Sequence, residues 1–204
     1  MLNNAQQKFV IDMYNQCKRI GVAYGNLCPI VVTAQACIES NYGRSTLSKN
    51  YHNYFGLKCG KNWKGKRATF KTNEEYVHGV LTPIVAEFRA YDNLEDGVKG
   101  YYEFVDTKRY ANLKGVTDPS VYVHNIKDDG YATSYSYVSN VLNVVQNIAP
   151  IIGVYDKLHN IDDIAQQVID GKWGNGEDRK ALLTMYGYDY NLVQQKVNEI
   201  LKNK

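Results

Sequence analysis

A chain of 204 residues with 44% apolar and 22% charged side chains has the make-up of one or two packed domains, not of a disordered segment. Its net charge of +3 is too small for a nucleic-acid-binding signature, and no run approaches the roughly 20 apolar residues that a membrane span requires. His52, His78, His124 and His159 lack metal-ligand spacing and no Cys-x-x-Cys pair occurs, so neither a metal nor a cofactor is expected.

The first residues, Met1 to Asn4, have no basic n-region, and the apolar run at Phe9 stops at Asp12, too soon for a signal peptide. The expectation is synthesis in a cytoplasm, or secretion if a signal has been trimmed. Cys17, Cys28, Cys37 and Cys59 are then expected as reduced, partly buried thiols.

Residues 5–22 predict a helix, with Phe9, Met13, Cys17 and Ile20 forming an apolar stripe that ends near Gly21. Residues 29–41 predict a second, opened by Pro29, whose missing N–H costs little in a first turn. Its apolar side is Ile30, Val31, Ala34 and Ile38, and Gly43 marks the turn beyond it. Glu39 stands at the end of this helix, where the negative end of the dipole and an apolar wall both favour a protonated carboxyl. It is the candidate proton donor.

Residues 50–66, rich in Gly, Asn and Lys, read as irregular. Residues 68–91 read as a small antiparallel lobe of two or three strands, turning at Thr72-Asn73. Helical patterns resume over 94–105, in one or two short pieces over 108–127 broken at Asp118-Pro119, and over 135–148, where Val138, Val141, Leu142, Val145 and Ile148 share a face. Fourteen of the 18 tyrosines fall in this first part and suit both half-buried packing and a sugar groove. Ala149-Pro150 reads as the end of a domain over 1–150, followed by a linker over 151–159.

A smaller unit, residues 160–204, predicts three short helices. Asn160 would cap the first, the second would run from Arg179 to residue 186, and Asn191, with Gln194 three residues on, would cap the third. The fold class is thus mostly α (α+β): a two-lobed body with a small β lobe, followed by a three-helix bundle.

Four segments in order carry a resemblance. Ala34-Gln35-Ala36-Cys37-Ile38-Glu39-Ser40-Asn41-Tyr42-Gly43, Asn53-Tyr54-Phe55-Gly56-Leu57-Lys58, Phe88-Arg89-Ala90-Tyr91 and Gly130-Tyr131-Ala132-Thr133 resemble the blocks of glycoside hydrolase family 73. These are endo-β-N-acetylglucosaminidases of bacterial cell walls, and the resemblance implies a lysozyme-like fold. Residues 160–204 are similar to the cell-wall-binding type-7 repeat, through Ile164-Ala165, Gly171, Trp173-Gly174-Asn175-Gly176, Arg179, Gly187-Tyr188-Asp189-Tyr190 and Val193-Gln194. That repeat usually occurs in tandem and here stands as one copy.

The resemblance implies a peptidoglycan hydrolase cutting N-acetylglucosaminyl-β-1,4-N-acetylmuramyl bonds, bacteriolytic and antimicrobial in effect, with the wall's glycan strand and muropeptide as partners. Without a signal peptide it points to a phage endolysin. Glycoside hydrolysis needs a neutral carboxylic acid and, in inverting enzymes, a second carboxylate. By resemblance the second lies in Thr72-Asn73-Glu74-Glu75-Tyr76, where Glu75 is preferred over Glu74, with substrate assistance by the acetamido group as the alternative. Tyr131 would line the cleft beside the acid. Asn53, Phe55 and Tyr91 are the expected substrate contacts there, Asn53 and Phe55 with turn-holding and core packing as their rival roles. Trp173, Arg179 and Tyr190 are those of the repeat, with core packing as the rival role of Trp173 and Tyr190 and self-association as that of the module. A lytic transglycosylase, and an inactive wall-binding or virion structural protein, are the competing readings of the whole chain.

Overall fold

In a computed structural model the described residues are 2–77, 80–158, 161–185 and 188–203, and the side chains of 72–84, 154–158 and 185 lie outside the description. The chain forms two units, residues 1–152 and 153–204, each with its own core.

Helix α1 (Asn4–Gly21) begins with a reciprocal capping box between Asn3 and Gln6 and buries Val10, Met13 and Cys17. It packs against α2 (Pro29–Ser40) and α4 (Leu94–Val105). The sequence suggests an α2 with one buried side, yet every residue from Val31 to Cys37 is buried. A helix enclosed all round over its middle is a core rod: Pro29 and Ile30 at its start are partly exposed, and Ile38 and Glu39 at its C-terminal end reach solvent. Helices α5 (Pro119–Asp128), started by the Asp118 cap and Pro119, and α6 (Tyr137–Leu158) close the core with Tyr122, Ile126, Val141 and Ile148.

Three differences from the sequence reading have physical causes. Helix α6 does not end at Pro150 but continues to Leu158, so the expected linker is helical as far as that residue. Its apolar stripe runs on to Ile152, which is buried, and that packing holds the helix across the proline's missing hydrogen bond. A short helix α3 (Thr46–Tyr51), capped by the Ser45 side chain, occupies residues read as irregular or unassigned. The β lobe is a two-stranded antiparallel ribbon, β1 (Arg67–Val77) and β2 (Val80–Arg89), with Thr72 opposite Ile84 and Asn73 opposite Pro83. The chain therefore reverses beyond Val77 and not at Thr72-Asn73. In a ribbon both strands are edges, so Pro83 is tolerated.

The second unit contains α7 (Ile161–Ile169), α8 (Gly176–Met185) and α9 (Tyr190–Lys202) around Ile164, Val168, Leu183, Val193 and Val197. Helix α8 starts three residues earlier than expected. The cap of α9 is Asp189 and not Asn191, its carboxylate accepting from the Asn191 and Leu192 N–H groups. The expected cap Asn160 lies outside the described residues. Among the described residues no helix is long and apolar enough to cross a membrane, and all four cysteines are free thiols.

Candidate active site

Glu39 occupies the last turn of α2, and the backbone immediately beyond that turn is unusual. Asn41, Tyr42 and Gly43 are all left-handed, with φ of 51°, 56° and 73°. Asn41 tolerates this region as a helix C-cap, whereas Tyr42 is a bulky residue held there against its preference. Ser40 holds the turn: its hydroxyl donates to the Ala36 carbonyl (2.5 Å) and accepts from Gly43 N–H (2.7 Å). Gly43 is required on two counts, since a β-carbon there would also meet the Phe9 ring at 2.7 Å.

The Glu39 side chain is exposed, yet the walls beside it remove enough water to raise its pKa above the ordinary carboxylate value. Among the described residues it has no hydrogen-bond or ion-pair partner. An acid reachable from solvent, unpaired and biased towards its neutral form is suited to giving a proton to a bound ligand.

One wall is the turn 53–57. Asn53 is 1% exposed and spends its whole amide on the main chain: its Nδ2 donates to the carbonyls of Leu57 (2.9 Å) and Arg89 (2.8 Å), while its Oδ1 accepts from Leu57 N–H (3.0 Å). This pins the turn to the end of β2 and presents left-handed Gly56 to the acid, where an added β-carbon would stand 3.5 Å from Glu39 Oε2. Asn53 therefore scaffolds the site and has no polar group left for a glycan. Of the two roles expected for Phe55, substrate contact and core packing, the structure has the second: it is buried with its ring 4.3 Å from that of Tyr101.

Tyr131 forms a second wall. It comes directly after Gly130, whose φ of 79° ends α5, and its hydroxyl donates to the Phe55 carbonyl at 3.3 Å. Its ring lies 6.2 Å from those of Tyr101, Phe104 and Tyr137. Burial first, then neighbouring groups that include Glu39, raise its pKa well above the ordinary phenol value, so it acts as a neutral hydroxyl.

Tyr91 belongs to an adjoining cluster. Its ring meets Trp63 edge-on, and Arg89 lies between Trp63 and Phe104, 4.6 and 5.4 Å from their ring centres. A shallow groove here is lined by Trp63, Lys66, Tyr91, Asp92, Lys99 and Glu103. Glu74 and Glu75 lie opposite Thr82 and Leu81 in the β1–β2 register, and their side chains are outside the described residues. Cys37, near Glu39 in sequence, is buried with its thiol pKa pushed up by that burial, an environment that disfavours the nucleophilic thiolate.

The sequence reading missed two participants. Gln35, one turn before Glu39 and 1% exposed, bonds both Tyr101 and Tyr137, and Tyr137 is close enough for the Glu39 charge to raise its pKa. The available signal was an amide in an otherwise apolar helix, four residues ahead of the acid.

In the second unit Arg179 folds inward. It donates to Gly174 O (3.1 Å), Asn175 Oδ1 (3.0 Å) and Gln194 Oε1 (3.3 Å), and so ties the turn before α8 to α9. Trp173 is half-buried, its Nε1 donating to Gln167 and its ring edge-on to Tyr188 at 5.4 Å. Tyr190 lines a polar groove along α9 with Asn191, Gln194, Gln195 and Asn198, and Lys180 lies over its ring. Tyr190 lines the groove, while Arg179, bonded to Gln194 of that groove, and Trp173 are half-buried and held by partners within the fold.

Comparison with known proteins agrees with both units. The model of the mannosyl-glycoprotein endo-beta-N-acetylglucosaminidase family matches residues 15–149, and that of the CW_7 repeat matches residues 162–201. The peptidoglycan hydrolase FlgJ of Vibrio parahaemolyticus is 30% identical over 152 residues, covering 71% of this chain and 48% of that protein. The lysozyme of Streptococcus phage Cp-7 is 50% identical over 43 residues, 21% of this chain and 13% of that protein. A crystal structure of a peptidoglycan hydrolase mutant from Sphingomonas sp. A1 aligns with TM-score 0.61 and 32% identity, covering 68% of this chain and 92% of that one. The chain spans about half the length of the first curated relatives it matches. It belongs to the endo-beta-N-acetylglucosaminidase family and carries one CW_7 repeat.

Proposed function

From that membership we propose that the chain hydrolyses the N-acetylglucosaminyl-β-1,4-N-acetylmuramyl bond of peptidoglycan, with Glu39 as general acid. The observation that carries the reading is the state of Glu39: open to solvent, unpaired among the described residues, and held towards its protonated form by the walls at Gly56 and Tyr131. Such a carboxyl protonates the departing glycosidic oxygen as positive charge develops on the sugar ring. Glu75 is the proposed base for the attacking water, and the substrate's acetamido group is the alternative that would dispense with it. Tyr131, whose hydroxyl hydrogen is committed to Phe55, supports the wall of the site and offers its oxygen lone pairs to the ligand.

The repeat supplies affinity for the wall. A single small bundle buries little area, so it serves mainly to raise the enzyme's local concentration on a polymeric substrate. Its 50% identity to the phage Cp-7 lysozyme supports a role as an endolysin, made in the host cytoplasm and acting after release.

Mass spectrometry of the products from purified walls tests the bond. Reducing N-acetylglucosamine ends are expected. Reducing muramic ends would make the enzyme a muramidase, and 1,6-anhydromuramic ends a lytic transglycosylase.

A further inference from the structure

Tyr131 enters the site from a turn that a second residue holds shut. Helix α5 closes with Tyr131 N–H donating to the Ile126 carbonyl (3.1 Å) and Gly130 N–H to that of Lys127 (2.8 Å), around left-handed Gly130. This closure does not use the Asp129 carbonyl, which accepts instead from Arg109 Nε, on the 3₁₀ stretch Lys108–Leu113. The same guanidinium lies against Gly130, where an added β-carbon would collide with Arg109 Nη2, and over the Tyr110 ring, 5.5 Å from its centre. Asn125 adds a tie between the two segments, its Nδ2 donating to the Asn112 carbonyl at 3.2 Å. A glycine at an exposed turn leaves the direction of the following chain weakly determined, and Arg109 supplies the missing constraint.

Contacts link this turn to the acid. The Tyr131 hydroxyl donates to the Phe55 carbonyl at 3.3 Å, an oxygen that can only accept, so the direction of the bond is fixed. That carbonyl belongs to the Phe55–Gly56 peptide, and an added β-carbon on Gly56 would stand 3.5 Å from Glu39 Oε2. We propose that Arg109 is a positioning residue of this site: by clamping the turn at Gly130 it sets where Tyr131 points, and through the Tyr131 hydroxyl it holds the Phe55–Gly56 peptide beside Glu39. The inference rests on Glu39 being the acid. A hydroxyl bond of 3.3 Å is long, so a small displacement of the turn breaks it. Lysine cannot replace the arginine, since its ammonium is a single point and cannot both serve the Asp129 carbonyl and cover Gly130 as a planar fork does.

The test is NMR on the full chain, labelled isotopically at phenylalanine carbonyl carbons and glycine amide nitrogens. Phe55-Gly56 is the one Phe-Gly pair in the sequence, so a carbonyl–amide correlation gives a single signal, from the peptide in question. In Arg109→Ala and Arg109→Lys, each checked for folding by circular dichroism, that signal should move towards its position in Tyr131→Phe, and it should stay in place in Lys108→Ala. Both Arg109 variants should lower kcat for wall hydrolysis about tenfold, and Arg109→Ala should add less than about twofold once Tyr131→Phe is present. An arginine that only stabilised the fold would not converge on the tyrosine variant in this way. Arg109→Lys decides the matter even if Arg109→Ala does not fold. A signal unmoved in either folded Arg109 variant, or losses of kcat that multiply in the double variant, overturns the proposal. If the signal moves but the unmodified chain leaves walls intact, the clamp stands and the hydrolase reading fails.

Discussion

Gly56 faces Glu39 across the site, and a single β-carbon added at Gly56 would stand 3.5 Å from Glu39 Oε2. That is ordinary contact, so the space itself tolerates alanine. The backbone does not, because Gly56 has a φ of +63°. Gly56→Ala should therefore cost about 1 kcal/mol of stability through strain and lower turnover as the turn shifts against the acid. Gly56→Asn, better suited to left-handed backbone, should lose less stability. Urea unfolding beside wall-lysis rates checks both, and equal stability in all three proteins would show that the turn bears no strain.

Asn53→Ala removes an amide that serves four main-chain groups in a buried turn. Leaving such groups unpaired should cost about 2–3 kcal/mol, read as a lower urea midpoint. Asn53→Asp keeps the acceptor but not the donors, so it should not restore the ties to Leu57 O and Arg89 O. A direct glycan contact at Asn53 would instead raise KM with stability unchanged.

The raised pKa of Glu39 makes its own contribution to the pH dependence of stability. The native chain binds its proton more tightly than the unfolded chain. The favourable contribution is therefore complete below the unfolded value of about 4.3 and is lost as pH rises through the higher folded value. Glu39→Gln should unfold at a higher denaturant midpoint than the unmodified chain at pH 7, with the gap closing below about pH 4. A gap that widens at low pH would mean that the folded carboxyl is stabilised as the anion.

Much of this arrangement was legible in the chain and some was not. Pro29 and Gly43 bracket α2, so local rules were enough to place Glu39 at a helix end. For Asn53 and Phe55 the choice between substrate contact and an inward role stayed open, because a polar or aromatic residue in a turn reads alike whether it faces inward or out. Only Leu57, Arg89 and Tyr101, brought in from elsewhere in the chain, show that both face inward. Thr72-Asn73 looked like a turn because those residue types favour one, and cross-strand pairing with Ile84 and Pro83 overrides the preference. The continuation of α6 past Pro150 has the same origin in tertiary packing around Ile152.

In the repeat, Arg179 holds three acceptors with a planar fork that lysine lacks. Both Arg179→Ala and Arg179→Lys should destabilise the second unit by about 1–2 kcal/mol while leaving the first unit's unfolding unchanged. Tyr190→Ala should instead weaken sedimentation with purified walls more than it weakens the fold. Stable Arg179 variants that no longer sediment would place the guanidinium in ligand binding.

The central claim is that Glu39 gives the proton. The measurement that tests it most directly is the rate at which Glu39→Gln releases reducing ends from purified walls, with circular dichroism confirming the fold. The substitution keeps size and polarity and removes the acid, so turnover should fall by at least about 100-fold. A folded Glu39→Gln protein that keeps more than about a tenth of the unmodified rate would contradict the assignment.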